Sequence, residues 1–460
     1  MSAMRGSMSS GLKADALSFF ESLVMGVAGS APGYTIAVTT GVLLATAGSL
    51  APSALIIFAV PMLGIAIAYR ALNRQRVSAG AAYHWTSSTF GRPLGFFSGW
   101  ALLIAALVFM VTGSIPAATA SLNFIDPGLT GHVILTASVA SLWFVAVALV
   151  LIMGIEITSK VQLVMTGIEL VILAVVLVAA FVHVLQAGAV NAFSWSWFGF
   201  GYSWKTFATS ALVVVFFYWG WDVTANLGEE TANAEHTAGN GGFAAVVVTI
   251  IYYLGFTLAA LFLFSLKDAK SLTDNIVYNL AVAAGLGRTG GLAASLAVIL
   301  SSVATLETTM LQFSRTLFAM GRDRAMPHLF GHVSATTQSP IRAMYLLIGV
   351  GLVLLWASSL MPSVNAIIAA SVNAVAIQVS YYYGLAGLVA AWCFRRAKGL
   401  EWLMLCLYPG LSGLTLITLG IYAVTTFDLV TQIVGVGGFA LGILFYRPRG
   451  HPVPAEAAPG

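Results

Sequence analysis

Apolar residues gather along this chain in about twelve stretches of membrane-spanning length, separated by short polar connections. The pattern predicts spans at 17–46, 51–71, 92–122, 132–153, 160–185, 205–228, 240–266, 290–318, 342–360, 366–394, 402–426 and 428–446. Two of them are interrupted in the middle. The first stops at Gly29, Ser30, Ala31, Pro32 and Gly33, and the sixth at Tyr218, Trp219, Gly220, Trp221 and Asp222. Gly and Pro at such depth leave backbone N–H and C=O groups without helical partners, which lipid does not tolerate unless protein, water or a ligand satisfies them. Spans one to five and six to ten each begin with a broken helix, and an odd number of spans per unit inserts the second unit upside down. The expected organisation is therefore an all-α membrane protein: an N-terminal tail (1–16), a five-helix repeat (17–185), its inverted counterpart (205–394), two further helices (402–446) and a C-terminal tail (447–460).

Composition agrees with the pattern. Of 460 residues, 59% are hydrophobic and 8% charged, against roughly 25% charged in soluble domains. Such a chain cannot cover a soluble surface. With the N-terminus inside, 16 of the 20 Lys and Arg fall on the cytoplasmic side, leaving Lys205, Lys267, Lys270 and Arg288 outside. Both termini are thus expected in the cytoplasm. The first sixteen residues are polar and small and the first apolar run continues as a span, so no cleavable signal is expected. Cys393 and Cys406 lie in apolar stretches and read as packing residues. No Cys/His/Asp cluster has metal spacing, no Gly-rich loop with Lys would cradle a phosphate, and no nucleophile elbow is present. Neither a metal site, a cofactor, a nucleic-acid partner nor an enzyme activity is expected.

Several motifs resemble one family. Gly80-Ala81-Ala82-Tyr83-His84-Trp85, followed by Phe90-Gly91-Arg92-Pro93 and Gly99-Trp100, is similar to the entry of the third helix in the amino acid–polyamine–organocation (APC) transporters. Ser314-Arg315-Thr316 through Gly321-Arg322-Asp323-Arg324 resembles that family's loop after helix eight, and Gly220-Trp221-Asp222 with Gly228-Glu229-Glu230-Thr231 its sixth helix. The resemblance implies the LeuT-like fold and secondary transport by alternating access. It also implies a substrate carboxylate on the first break, at Gly29, Ser30, Ala31 and Gly33. The second break, at Tyr218, Trp219, Gly220 and Trp221, would hold an amino group and gate the site.

Elementary chemistry points the same way. The free N–H groups at the start of a half-helix favour an anion, although Pro32 supplies none. Unwound carbonyls and aromatic faces favour an ammonium group. Charged side chains inside spans are costly and mark function by default, which singles out Glu169, Asp222 and Glu307, the last beside Thr308. By the resemblance, Glu169 falls where many proton-coupled members carry a lysine, so that lysine's role does not carry over. Glu169 is a candidate proton carrier or partner for a cationic solute. Asp222 would line the site or cap the second half of span six. His84 reads as a hydrogen-bonded structural residue. Glu229, Glu230 and the Arg322-Asp323-Arg324 run read as structural or gating contacts. The leading expectation is a proton-coupled or exchanging amino acid carrier. A polyamine or monoamine carrier is the alternative, and an ion-selective carrier or channel a more distant one.

Overall fold

The structure is a computed structural model, and it describes residues 11–271 and 276–447. Most of the two expected tails, 1–10 and 448–460, lies outside the described residues. Among those described, the chain is helical, with a single isolated parallel bridge between Leu17 and Thr231. In chain order the helices are α1 (Phe19–Ser30), α2 (Pro32–Ala47), α3 (Ala51–Gln75), α4 (Ala82–Phe90), α5 (Arg92–Ile125), α6 (Val133–Ile152), α7 (Ile155–Ala187), α8 (Trp204–Phe217), α9 (Val223–Asn226) and α10 (Ala234–Leu263). They continue as α11 (Leu266–Ser271), α12 (Ile276–Ala281), α13 (Gly287–Arg322), α14 (Ile341–Ser358), α15 (Val364–Cys393), α16 (Gly399–Trp402) and α17 (Tyr408–Thr426), followed by the shorter apolar helix Leu429–Phe445.

Nine helical runs are long and apolar enough to cross a membrane among the described residues. The difference from the expected twelve has local causes. The helices from Phe19 to Gln75 run on as one, the interrupted α8 falls short, and so does Leu429–Phe445. α1 opens on a capping box, in which Ser18 Oγ accepts from the Glu21 N–H and Glu21 Oε2 accepts from the Ser18 N–H. It ends where Ala31 turns into the left-handed region (φ 47°), and Pro32 starts α2 at the position where a missing N–H costs nothing.

α13 lies at the centre, packed against α1, α2, α5, α6, α7 and α14. α15 and α17 meet along a seam of small residues. A Cβ on Gly387 would lie 2.5 Å from Pro409 O, so side chains larger than hydrogen would force the backbones apart. Cys393, expected to be packed, is exposed because it is the last residue of α15 as that helix leaves the bundle. The basic end of the bundle is tied together by buried groups. Ala16 and Leu17 donate their N–H groups to Glu230 O (2.9 and 3.1 Å), and Leu12 packs in a small cluster with Ala79, Phe318 and Val333. Glu229 pairs with Arg322 (3.1 Å), Glu230 with Arg315 (2.8 Å), and Glu229 Oε1 also accepts the Ala79 N–H. Both acidic residues are therefore structural ties. His84 is partly buried, and its Nδ1 has no partner. Burial first, then the charges of Arg76 and Arg322, lowers its pKa to about 4, so the ring is neutral at pH 7.

Candidate functional site

The two interruptions, 191 residues apart between Gly29 and Gly220, touch each other. A Cβ on Gly29 would run into the carbonyl of Gly220, and a Cβ on Gly220 into the carbonyl of Gly29. Only hydrogen fits between these backbones. Gly220 has φ 103°, a conformation that L side chains rarely adopt.

Side chains from surrounding helices satisfy the loosened backbone. Thr305 of α13 donates to Gly29 O (3.0 Å). Tyr253 of α10 donates to Ser30 O (2.6 Å), as does Thr35 of α2 (3.0 Å). The Ala31 N–H turns back to the carbonyls of Val27 and Ala28. In the second break, Tyr218 O accepts the indole N–H of Trp221 (2.9 Å), and the Tyr218 hydroxyl reaches Leu55 O (3.2 Å).

Glu169 of α7 reaches the first break directly. Its Oε1 accepts the Gly33 N–H at 2.9 Å, while Oε2, equally buried, has no partner. Gly33 is hemmed in by Ala297 O, Ser301 and Glu169 itself, and the buried Ser301 hydroxyl stands against the Glu169 carboxylate without a hydrogen bond of good geometry. The N–H donor that an incoming anion would use is therefore already held by a carboxylate of the protein.

Asp222 does not cap α9, since its side chain makes no bond to the helix start. It accepts instead from Gln312 Nε2 (2.6 Å), Tyr383 OH (2.8 Å) and Tyr382 OH (3.2 Å), joining the second break to α13 and α15. Tyr382 in turn accepts the Trp219 indole N–H at 2.5 Å. Trp219 lies edge-on to Phe109, which lies edge-on to Tyr34, and Trp221 is wedged between Tyr69 and Tyr383. Tyr218, Trp219 and Trp221 are all buried. Removing one hydroxyl breaks this chain twice. Tyr382→Phe is expected to leave the Trp219 N–H unpaired and Asp222 one donor short, at a cost of about 1–3 kcal/mol. Thermal unfolding of the purified variant checks this, and an unchanged midpoint would mean that water replaces the hydroxyl.

Glu307 is buried and its Oε1 unpartnered, but it lies two residues from Thr305, about 200° around α13. It is thus carried on the face opposite the breaks. Thr308 gives its hydroxyl to the carbonyls of Ala304 and Thr305 in its own helix. The residues that do meet the breaks or Asp222 include Thr305, Gln312, Tyr253, Tyr382 and Tyr383, none of which stood out by type. Ser301, Thr305 and Gln312 sit at helical spacing on one face of α13, but the same helix also carries Ser302, Glu307, Thr308, Thr309 and Ser314, so its sequence alone did not single that face out.

Comparison with known proteins follows the same outline. The model of the family described as amino acid permease matches residues 17–454. The chain is 26% identical to "Cationic amino acid transporter 9, chloroplastic" of Arabidopsis thaliana, over 70% of this chain and 57% of that protein. It is 26% identical to "Low-affinity putrescine importer PlaP" of Escherichia coli (strain K12), over 69% of each. It is 25% identical to "Branched-chain amino acid permease BcaP" of Bacillus subtilis (strain 168), over 70% of each. The chain spans about half the length of the plant cationic amino acid transporters it matches. With its apolar helices and this family match, it is an integral, multi-pass membrane protein.

Proposed function

The chain belongs to the amino acid permease family, and from that premise we propose that it is a secondary carrier moving a small amine-bearing solute across the plasma membrane by alternating access. The observation that carries this reading is the meeting of the two helix breaks at Gly29 and Gly220, inside the protein and away from lipid. Paired breaks in corresponding halves mark the solute site of carriers. The fold proposed with it is LeuT-like, with twelve spans: repeats at 17–185 and 205–394, two added helices at 402–446, and cytoplasmic tails at 1–16 and 447–460. The Lys and Arg asymmetry supports that orientation.

An amino acid is the first choice of solute. Its carboxylate is assigned to Gly29, Ser30, Ala31 and Gly33, and its ammonium group to Tyr218, Trp219, Gly220 and Trp221. A monoamine or polyamine is the second reading, favoured by one observation: Glu169 already holds the Gly33 N–H. The relatives include both kinds of carrier by name. Among the coupling candidates, Glu169 alone brings an open carboxylate oxygen to a break. Asp222 is engaged by three donors, Thr308 by its own helix, and Glu307 sits on the far face. We take the proton as the coupling ion.

A thermal-shift screen of the purified protein against amino acids and their decarboxylated amines tests the reading. A ligand at 100 times its Kd stabilises by about 2.7 kcal/mol. Amino acids are expected to raise the midpoint more than putrescine does. Stabilisation by putrescine and by no amino acid selects the second reading. No shift with either class removes both. In liposomes, counterflow of labelled solute is expected, and potential-driven ion current without solute would indicate a channel.

A further inference from the structure

We propose that Glu169 is a built-in stand-in for the substrate carboxylate, and that an amino acid enters the first break only when Glu169 carries a proton. The inference rests on the reading above that the solute sits at the breaks, and it concerns how that site is regulated.

The geometry is specific. The first break has few donors to offer, because Pro32 has no N–H and the Ala31 N–H is turned back into α1. The Gly33 N–H, at the positive end of α2, is the donor aimed at Glu169, and Oε1 takes it at 2.9 Å. A second carboxylate cannot share that donor. Two carboxylates side by side in a buried site also repel strongly unless one is neutralised. A proton on Glu169 removes both obstacles. The neutral acid gives up its claim on the N–H and becomes a donor to the incoming carboxylate.

Oε2 and the Ser301 hydroxyl are both buried, neither makes a hydrogen bond of good geometry, and Ser301 stands against the carboxylate, so a proton on Oε2 has a hydroxyl oxygen beside it. Among the described residues no cation bears on this carboxylate. The groups that bear on it are Gly33 from α2, Ser301 from α13, and the phenols of Tyr252 and Tyr253 from α10. The protein therefore offers a proton, rather than a counter-ion, as the means of neutralising it. One proton taken from the loading side would accompany each zwitterion. It would leave on the opposite side as the amino acid departs and Glu169 closes on Gly33 again.

An amine without a carboxylate obeys the opposite rule, since it gains from the ionised Glu169. The test is binding to the purified full chain between pH 5.5 and 8.5, using leucine and arginine against their decarboxylated counterparts isoamylamine and agmatine. Leucine or arginine is expected to bind more tightly as pH falls, by up to about tenfold per pH unit, the limit for one linked proton. Amine affinity should move the other way. Glu169→Gln is expected to bind the amino acid with flat pH dependence. Amino acid binding that is independent of pH in the wild type, or a slope that survives in Glu169→Gln, overturns the inference and leaves the carrier reading standing. Absence of binding by all four probes at every pH overturns the carrier reading itself. Should Glu169→Gln fail to fold, the opposite signs for amino acid and amine in the wild type decide the matter alone.

Discussion

Gly29→Ala and Gly220→Ala are each expected to disrupt the folded protein, with little monodisperse material recovered. The added Cβ meets backbone on the other side in both cases: the Gly220 carbonyl for Gly29, and the Gly29 carbonyl for Gly220. Flexible side-chain ends can swing aside, but these two carbonyls are anchored by the chain. Moving them also breaks the Thr305 hydrogen bond to Gly29 O. Overpacking of this kind costs about 1–3 kcal/mol, and at Gly220 the left-handed backbone (φ 103°) adds about 1–2 kcal/mol more for any L side chain. Gly167→Ala is the control. It lies within α7 with no neighbour within 4 Å of the new carbon, so it is expected to be neutral or slightly stabilising. Size-exclusion profiles and thermal midpoints of the three variants decide the point. Gly29→Ala behaving like Gly167→Ala would mean that the breaks do not meet.

Arg315→Met is expected to cost about 3–5 kcal/mol, the range seen when one partner of a buried ion pair is removed. Arg315 and Glu230 have fully buried side chains and are joined by two hydrogen bonds, Nη2 to Oε1 at 2.8 Å and Nε to Oε2 at 2.9 Å. The substitution leaves the Glu230 carboxylate dry and uncompensated. The damage should spread, because the backbone carbonyl of the same Glu230 receives the N–H groups of Ala16 and Leu17. Loosening this segment frees the N-terminal stretch that covers the basic end. Arg315→Lys does not rescue the site, since an ammonium cannot make the two-pronged contact. The double variant Arg315→Met/Glu230→Leu is expected to recover much of the loss, because a well-packed apolar pair avoids desolvating charge. A thermal double-mutant cycle measures the coupling, and additive effects of the two single changes would contradict a direct pair.

Much of this molecule is legible in one dimension. The apolar runs place the ends of α5, α6 and α14 within a few residues of the expected 92–122, 132–153 and 342–360, because lipid imposes a length and a composition on each span. The breaks are legible for the same reason: Gly29 to Gly33 and Gly220 stand out where a membrane helix has no use for loose backbone. The three buried acids are visible because charge is rare in such a chain. Their assignments are a different matter. Asp222 stands at the N-cap of α9 by position, yet three donors from α13 and α15 take its oxygens. Glu307 and Thr308 neighbour Thr305, which meets the first break, in sequence, while helical phase carries Glu307 away and Thr308 bonds its own helix.

The amino-acid sequence by itself therefore determined the class of protein, the approximate span boundaries, the two breaks and the list of costly groups, because each of these follows from composition within a few turns of helix. Tertiary structure alone decided which atoms meet. The contact of Gly29 with Gly220, the Glu169 hydrogen bond to Gly33 across 136 residues, and the Arg315–Glu230 pair all depend on how distant helices rotate and cross. Those rotations are set by packing many side chains at once, and no local pattern encodes them.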